Sequence, residues 1–161
     1  MLVKEQFKDW KWNAATALAL RCVRRVQALL NSECGFGRDD GWEIECALTL
    51  SEKICSSSPY GRKRKFIEYS QSEAVKNVGY ACKKIAENLS KTKPTGWQLA
   101  FHIANATYFA THAVESGFPS DDAIKAIEET IDVLNHATTI SGSYKAIEIS
   151  IKQFAWLLAN F

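Results

Sequence analysis

The sequence predicts an all-α fold: one domain spanning residues 1–161, a bundle of about six helices. Three observations carry that expectation. Apolar residues recur at spacings of three and four over long stretches, which is the period of a helix with one buried face. The connections between those stretches, marked by Gly, Pro and Ser, are short except at residues 56–71, so consecutive helices are expected to lie antiparallel. No stretch shows a convincing period of two, the mark of a half-buried strand. With 161 residues, 47% of them apolar and 24% charged, the chain can bury a core without disulfide or metal staples.

The first helix is expected from about Glu5 to Asn31, with Ala15, Leu18, Cys22, Val26 and Leu29 as its stripe and Trp10, Ala14 and Ala17 widening it. The glycine-rich CGFGRDDG ends it. The second helix is expected to start at Asp40, which with Glu43 fits a cap and its reciprocal carboxylate, and to bury Trp42, Cys46, Ala47, Leu50 and Ile54. SSSPYG closes it. A third helix begins near Ser72 or up to a turn or more earlier, and Val75, Val78, Cys82, Ile85, Ala86 and Leu89 mark its inner face. TKPTG breaks the chain. Thr95 with Gln98 then reads as a second capping box, opening a helix that reaches Ser116. Gly117 is placed to stop it and Pro119 follows. Ser120 caps the fifth helix, whose first turn carries Asp121 and Asp122 where the helix dipole favours them, and whose stripe is Ile124, Ile127, Ile131 and Leu134. SGS separates it from a sixth, with Tyr144, Ile147, Ile151, Phe154 and Leu158 inward. Stacked helix pairs are a second architecture that the same pattern permits, although no fixed-length repeat is visible.

The bulk properties exclude more than they identify. A net charge of +2 does not by itself argue for nucleic acid or a membrane surface as partner. The five cysteines are odd in number and form no close pair of the kind zinc and redox motifs use, so reduced thiols in a cytoplasmic protein are expected. Cys22, Cys46 and Cys82 lie on apolar stripes, where a thiol is inert, and Cys34 sits in the glycine-rich turn. The early NAATALAL run has Glu5 and Asp9 in front of it and Arg21 behind, unlike a secretory leader. No apolar run approaches the ~20 residues of a membrane span.

Chemistry-bearing residues are few. FHIANATYFATHA, residues 101–113, sets two histidines in a helix that is apolar nearly all round, which predicts a central position for that helix. His102, Asn105 and His112 share one face, yet about ten residues at ~1.5 Å each put the two imidazoles roughly 15 Å apart, too far for one metal ion. No metal centre and no cofactor is therefore expected. Each imidazole is expected to meet a backbone carbonyl or a polar neighbour, with a cleft or partner surface along the His102–Asn105–His112 edge as the alternative. His136 near the end of its helix reads as a favourable dipole contact. Arg62, Lys63, Arg64 and Lys65 make the densest basic cluster, with Tyr60, Phe66 and Tyr69 near enough to stack; phosphates or an acidic protein patch would suit it, but a solvated loop is the expected reading and nucleic acid is not an expected partner. Arg21, Arg24 and Arg25 form a basic edge expected to be solvated. CGFGRDDG lacks the Lys-Ser/Thr ending of a phosphate loop and no strand precedes it. Asp39 and Asp40 are adjacent, so they are not an acid and a base across a cleft. No Ser–His–Asp arrangement is visible, and no catalytic residue is assigned.

ALRCVRRVQALL, GRDDGWEIECALTLSEKI and FHIANATYFATHA, in that order, resemble segments of the helical, Ala- and His-rich immunity proteins linked to bacterial polymorphic-toxin systems. Cys22, Arg25 and Val26 match the family's early Cys-Ala-x-Arg-Val segment. Asp39 and Asp40 match its Pro-Asp-Asp turn, and His102, Thr111, His112 and Ala113 match its late histidine helix. Arg38 stands where the family has proline, Gly41, Trp42 and Glu43 replace an arginine-rich helix start, and Tyr108 occupies the place of a third histidine. The resemblance covers about half the chain. It implies a cytoplasmic protein that binds and neutralises a toxin. A non-enzymatic interaction protein is accordingly expected, with His102, Asn105 and His112 and the Asp39–Asp40 turn as candidate contact residues on an exposed face, and Arg62, Lys63, Arg64 and Lys65 as a separate candidate. Inhibitors of basic nuclease toxins tend to be acidic by complementarity, which this chain is not. Two other classes fit the same residues: a small-ligand or metal-binding protein or enzyme with a pocket near His102 and His112, and a scaffold subunit that forms homo-oligomers.

Overall fold

In a computed structural model, residues 12–27, 38–57, 69–94, 96–115 and 119–137 are described. They form five helices and no strand: α1 (Trp12–Gln27), α2 (Arg38–Ser57), α3 (Tyr69–Thr92), α4 (Trp97–Glu115) and α5 (Pro119–Ala137). The expected sixth helix, the turn at 34–37, the 61–65 loop, Thr95 with its capping role, Gly117 and both outer ends of the first helix lie outside the described residues.

The all-α expectation holds, and the element starts show why it missed by a turn in places. Arg38 is already helical, so Asp39 and Asp40 occupy the first turn of α2 and favour it through the helix dipole instead of capping it. Likewise α5 includes Pro119, whose fixed φ suits a first helical turn, and Ser120 lies inside the helix it was expected to cap. At the other end of α3, Lys93 takes the left-handed conformation (φ 45°) and its N–H donates to the Leu89 carbonyl at 2.9 Å, closing the helix with a motif usually built on glycine. Gly96 (φ 75°) completes the turn, and the Trp97 N–H donates to the Pro94 carbonyl at 2.9 Å.

Contacts at named residues show that α3 and α4, and α4 and α5, run antiparallel. Lys76 near the start of α3 meets Glu115 near the end of α4, and His102 and His112 of α4 meet Glu129 and Asp122 of α5 in reversed order. The helix α4 packs against all four of the others, the central position its all-round apolar sequence predicts. Its Ala100, Ala104, Ala106, Ala110 and Ala113 are buried, and such small side chains let neighbouring backbones approach. Gly79 of α3 extends that closeness: a Cβ there would lie 3.3 Å from Cγ2 of Thr111.

The main core joins Leu18, Val23 and Val26 of α1 to Ile44 and Leu48 of α2, Ile103 of α4, and Ile127 and Leu134 of α5. A smaller cluster of Ile54, Val75 and Val114, with Leu50 against it, closes one end of the α2–α3–α4 group. The α2 stripe differs from expectation. Ile44, Ala47, Leu48 and Ile54 are buried, whereas Trp42 is 68% exposed. At ~100° per residue Trp42 projects about 160° away from Ile44, so both cannot face the core.

The α1–α2 pair is the most sparsely packed of the adjoining helices, and a polar network crosses it. The Arg24 guanidinium donates to Glu52 through Nε, to Glu45 Oε2 at 2.5 Å and Gln27 Oε1 at 2.8 Å through Nη1, and to Thr49 Oγ1 at 3.0 Å through Nη2. Gln27 Nε2 donates to the same Glu45 oxygen at 2.6 Å. The expectation of a solvated Arg24 is thus overturned: its carboxylate partners are contributed by another helix. The Glu45 carboxyl is held below its ordinary value of 4.5, first by the Arg24 bond and then by Gln27. A lowered folded-state pKa means that this carboxylate contributes stability above pH 4.5 and that the contribution fades as pH falls through the lower folded value. Arg24→Met is expected to cost about 1 kcal/mol near neutral pH, because the network is partly exposed. It should also flatten the loss of stability below pH 4.5, as read from urea midpoints measured across that range.

Candidate functional site

Both central histidines are bound to carboxylates. One helix supplies both imidazoles and the next supplies both acids. Nδ1–H of His112 donates to Oδ2 of Asp122 at 2.9 Å, and Nδ1–H of His102 donates to Oε2 of Glu129 at 2.6 Å. An ionised carboxylate can only accept, which places the proton on Nδ1 in each ring. Asp122 is buried, so His112 satisfies a group that would otherwise be costly to enclose. Each imidazole therefore has the polar neighbour expected of it. Asn105, on the same face, is half-buried and joins neither pair.

The two pairs sit in different surroundings. His112 lines an open groove of about 400 Å³ between α3 and α4, together with Glu73, Lys76, Gly79, Tyr80, Tyr108 and Glu115. Its ring stacks on Tyr108 with centroids 5.7 Å apart, and its Nε2 lies 3.6 Å from Glu115. Lys76 bridges Glu73 and Glu115 at 3.9 Å each. Lys83 lies over the Tyr108 ring and Lys84 over the Tyr80 ring, at 5.4 Å and 4.9 Å, a favourable placement for a cation on an aromatic face. Tyr80 is nonetheless 58% exposed. The groove wall is thus aromatic and its rim carries both signs of charge.

At the other end of α4, the His102 ring packs against Phe101 and against His136, with centroid separations of 5.3 Å and 5.1 Å. His136 Nδ1–H donates to the Asp132 carbonyl at 2.9 Å, the local bond that replaces the simple dipole contact expected of it. Glu129, Asp132 and His136 recur on one face of α5, and His102 faces them from α4.

The remaining candidates are scattered. Asp39 is exposed, and Asp40 is half-buried with its carboxyl raised above its ordinary value by burial and by the charge of Asp39. Arg62, Lys63, Arg64 and Lys65 lie outside the described residues, as does Cys34. Burial pushes the Cys22 and Cys82 thiols up to about 12, with Arg25 opposing it at Cys22 and with Glu43 and Cys46 adding to it at Cys82. Those thiols are poor nucleophiles, as their stripe positions imply. Sequence reasoning missed Tyr80, which stands off the apolar stripe of α3; a large aromatic on an otherwise polar face was the available signal. It also missed the Glu129–Asp132–His136 spacing, one helical face read separately from the His102 helix.

No family model, characterised protein or solved structure matches the chain with significance. No helix among the described residues is long and apolar enough to cross a membrane.

Proposed function

We propose that this chain is a non-enzymatic protein-binding module, an immunity protein that binds and neutralises a cognate bacterial toxin in the cytoplasm. The observation that carries the binding reading is the α3–α4 groove with exposed Tyr80 at its edge: aromatic side chains are over-represented at the centres of tight protein–protein contacts, and a charged rim surrounds them there. The toxin assignment rests on the segment resemblance alone. His112, one of the matched residues, lines this groove, whereas His102 lies at the opposite end of α4; a toxin reaching both would have to run along the α4–α5 seam.

A second reading draws on the same groove. A His–carboxylate pair beside a cavity of about 400 Å³ is also what a small-ligand site or a hydrolytic base would use. One experiment separates the two. The gene directly upstream is read, and if it encodes a large secreted protein, that protein is expressed in a bacterial host with and without this chain. Restored growth, a purified complex and an at least tenfold loss of affinity in Tyr80→Ala are the expected results. Absence of both rescue and complex ends the immunity reading, and turnover of a small compound by the isolated protein that His112→Ala abolishes would establish the second.

A further inference from the structure

We infer that His102, Glu129 and Asp132 form a zinc site that ties α4 to α5. A ring nitrogen of His102 and one carboxylate oxygen from each acid lie within 4.8 Å of one another, a spread that small side-chain rotations close to the ~3.4 Å separation of ligands around a tetrahedral zinc. The ligands come from two helices, with the two acids three residues apart on α5, so one ion would clamp a helix pair. The electrostatics point the same way. Two carboxylates converge on a single imidazole, and among the described residues no lysine or arginine pairs with either of them. One shared proton on His102 leaves that cluster with net negative charge, which a divalent cation relieves. The three groups are not sealed in: His102 and Glu129 side chains are 18% and 20% exposed and Asp132 is on the surface, so an ion can enter from solvent.

His136 supports the arrangement as a wall. Its ring lies against that of His102, and its Nδ1–H is fixed on the Asp132 carbonyl, one turn back on α5. That contact limits the swing of the His102 ring, the role outer-shell groups play around metal ligands. One imidazole with two carboxylates is a nitrogen–oxygen set suited to zinc, and three protein ligands leave a fourth position for water. On binding at Nδ1, zinc takes the place of the proton held between His102 and Glu129, and that proton moves to Nε2, so the ligand remains a neutral imidazole.

The inference does not rest on the toxin reading: it is argued from the His102, Glu129 and Asp132 geometry alone, and zinc uptake is read without any toxin. The test titrates zinc chloride into the chelator-stripped full chain by calorimetry and follows the melting temperature in parallel. One equivalent bound with micromolar or tighter affinity and a raised melting temperature are expected. Asp132→Ala removes an exposed side chain while keeping the backbone carbonyl that His136 uses, so it should fold normally yet bind zinc at least tenfold more weakly. His102→Ala should abolish binding, and Glu128→Ala, at an exposed acid on α5, should leave it unchanged. Failure of the wild type to take up one equivalent overturns the inference. So does binding of equal strength in Asp132→Ala, which would assign the ion to other groups such as the cysteines.

Discussion

Ile103→Ala is expected to destabilise the protein by about 2–5 kcal/mol, the range for truncating a fully enclosed aliphatic side chain. Ile103 is 0% exposed and belongs to the main core cluster, on a helix that packs against all four of the other described helices. Because most of its neighbours on α4 are alanines, few long side chains are available to collapse into the space left behind. The upper half of the range is therefore expected. Against a total stability of about 5–15 kcal/mol this is a large share. Urea unfolding should show the midpoint falling by about 1–3 M with an unchanged slope. A loss under about 1 kcal/mol would mean that α4 is not enclosed as described.

Gly79 gives the second large effect, through its choice of replacement. Thr111 cannot simply turn aside, since its hydroxyl donates to the Thr107 carbonyl at 2.7 Å. Gly79→Ala sets a helix-propensity gain of about 1 kcal/mol against a methyl 3.3 Å from Thr111 Cγ2, and should fall within about 1 kcal/mol of wild type. Gly79→Leu has no such balance. It must part α3 from α4 or leave its rotamer wells, at a cost of about 2–3 kcal/mol, and its side chain would intrude on the groove that Gly79 lines. Thermal unfolding of the pair, with glycine as reference, reads this contrast directly.

The helices were legible because the apolar period repeats over many turns and each stripe is a local property. Val75, Cys82, Ile85, Ala86 and Leu89 are buried as their spacing requires, as are Ile124, Ile127 and Leu134. The central position of α4 was legible too, because a helix apolar on every side must be covered on every side. Trp42 misled because its size suggested burial while its register opposed Ile44. The site was legible only as residues, not as pairs. His102 finds Glu129 at a separation of 27 residues and His112 finds Asp122 at 10, and nothing in a linear pattern selects those acids among the others on α5. Arg24 was misjudged for the same reason: its carboxylate partners lie 21 and 28 residues on, across a turn whose geometry a sequence does not state.

The order in which the helices pair bears on how the chain comes off the ribosome. Contacts among α3, α4 and α5 close over short connections and can form as soon as each helix emerges. The first helix has to wait for the fifth, its principal neighbour among the described helices, which is made roughly 100 residues later, or about 5–20 s at ordinary rates of synthesis. Throughout that interval Leu18, Val23 and Val26 have no final seat. The nascent segment is then a substrate for holding chaperones, and the slack between first translation and last docking sets its exposure to aggregation.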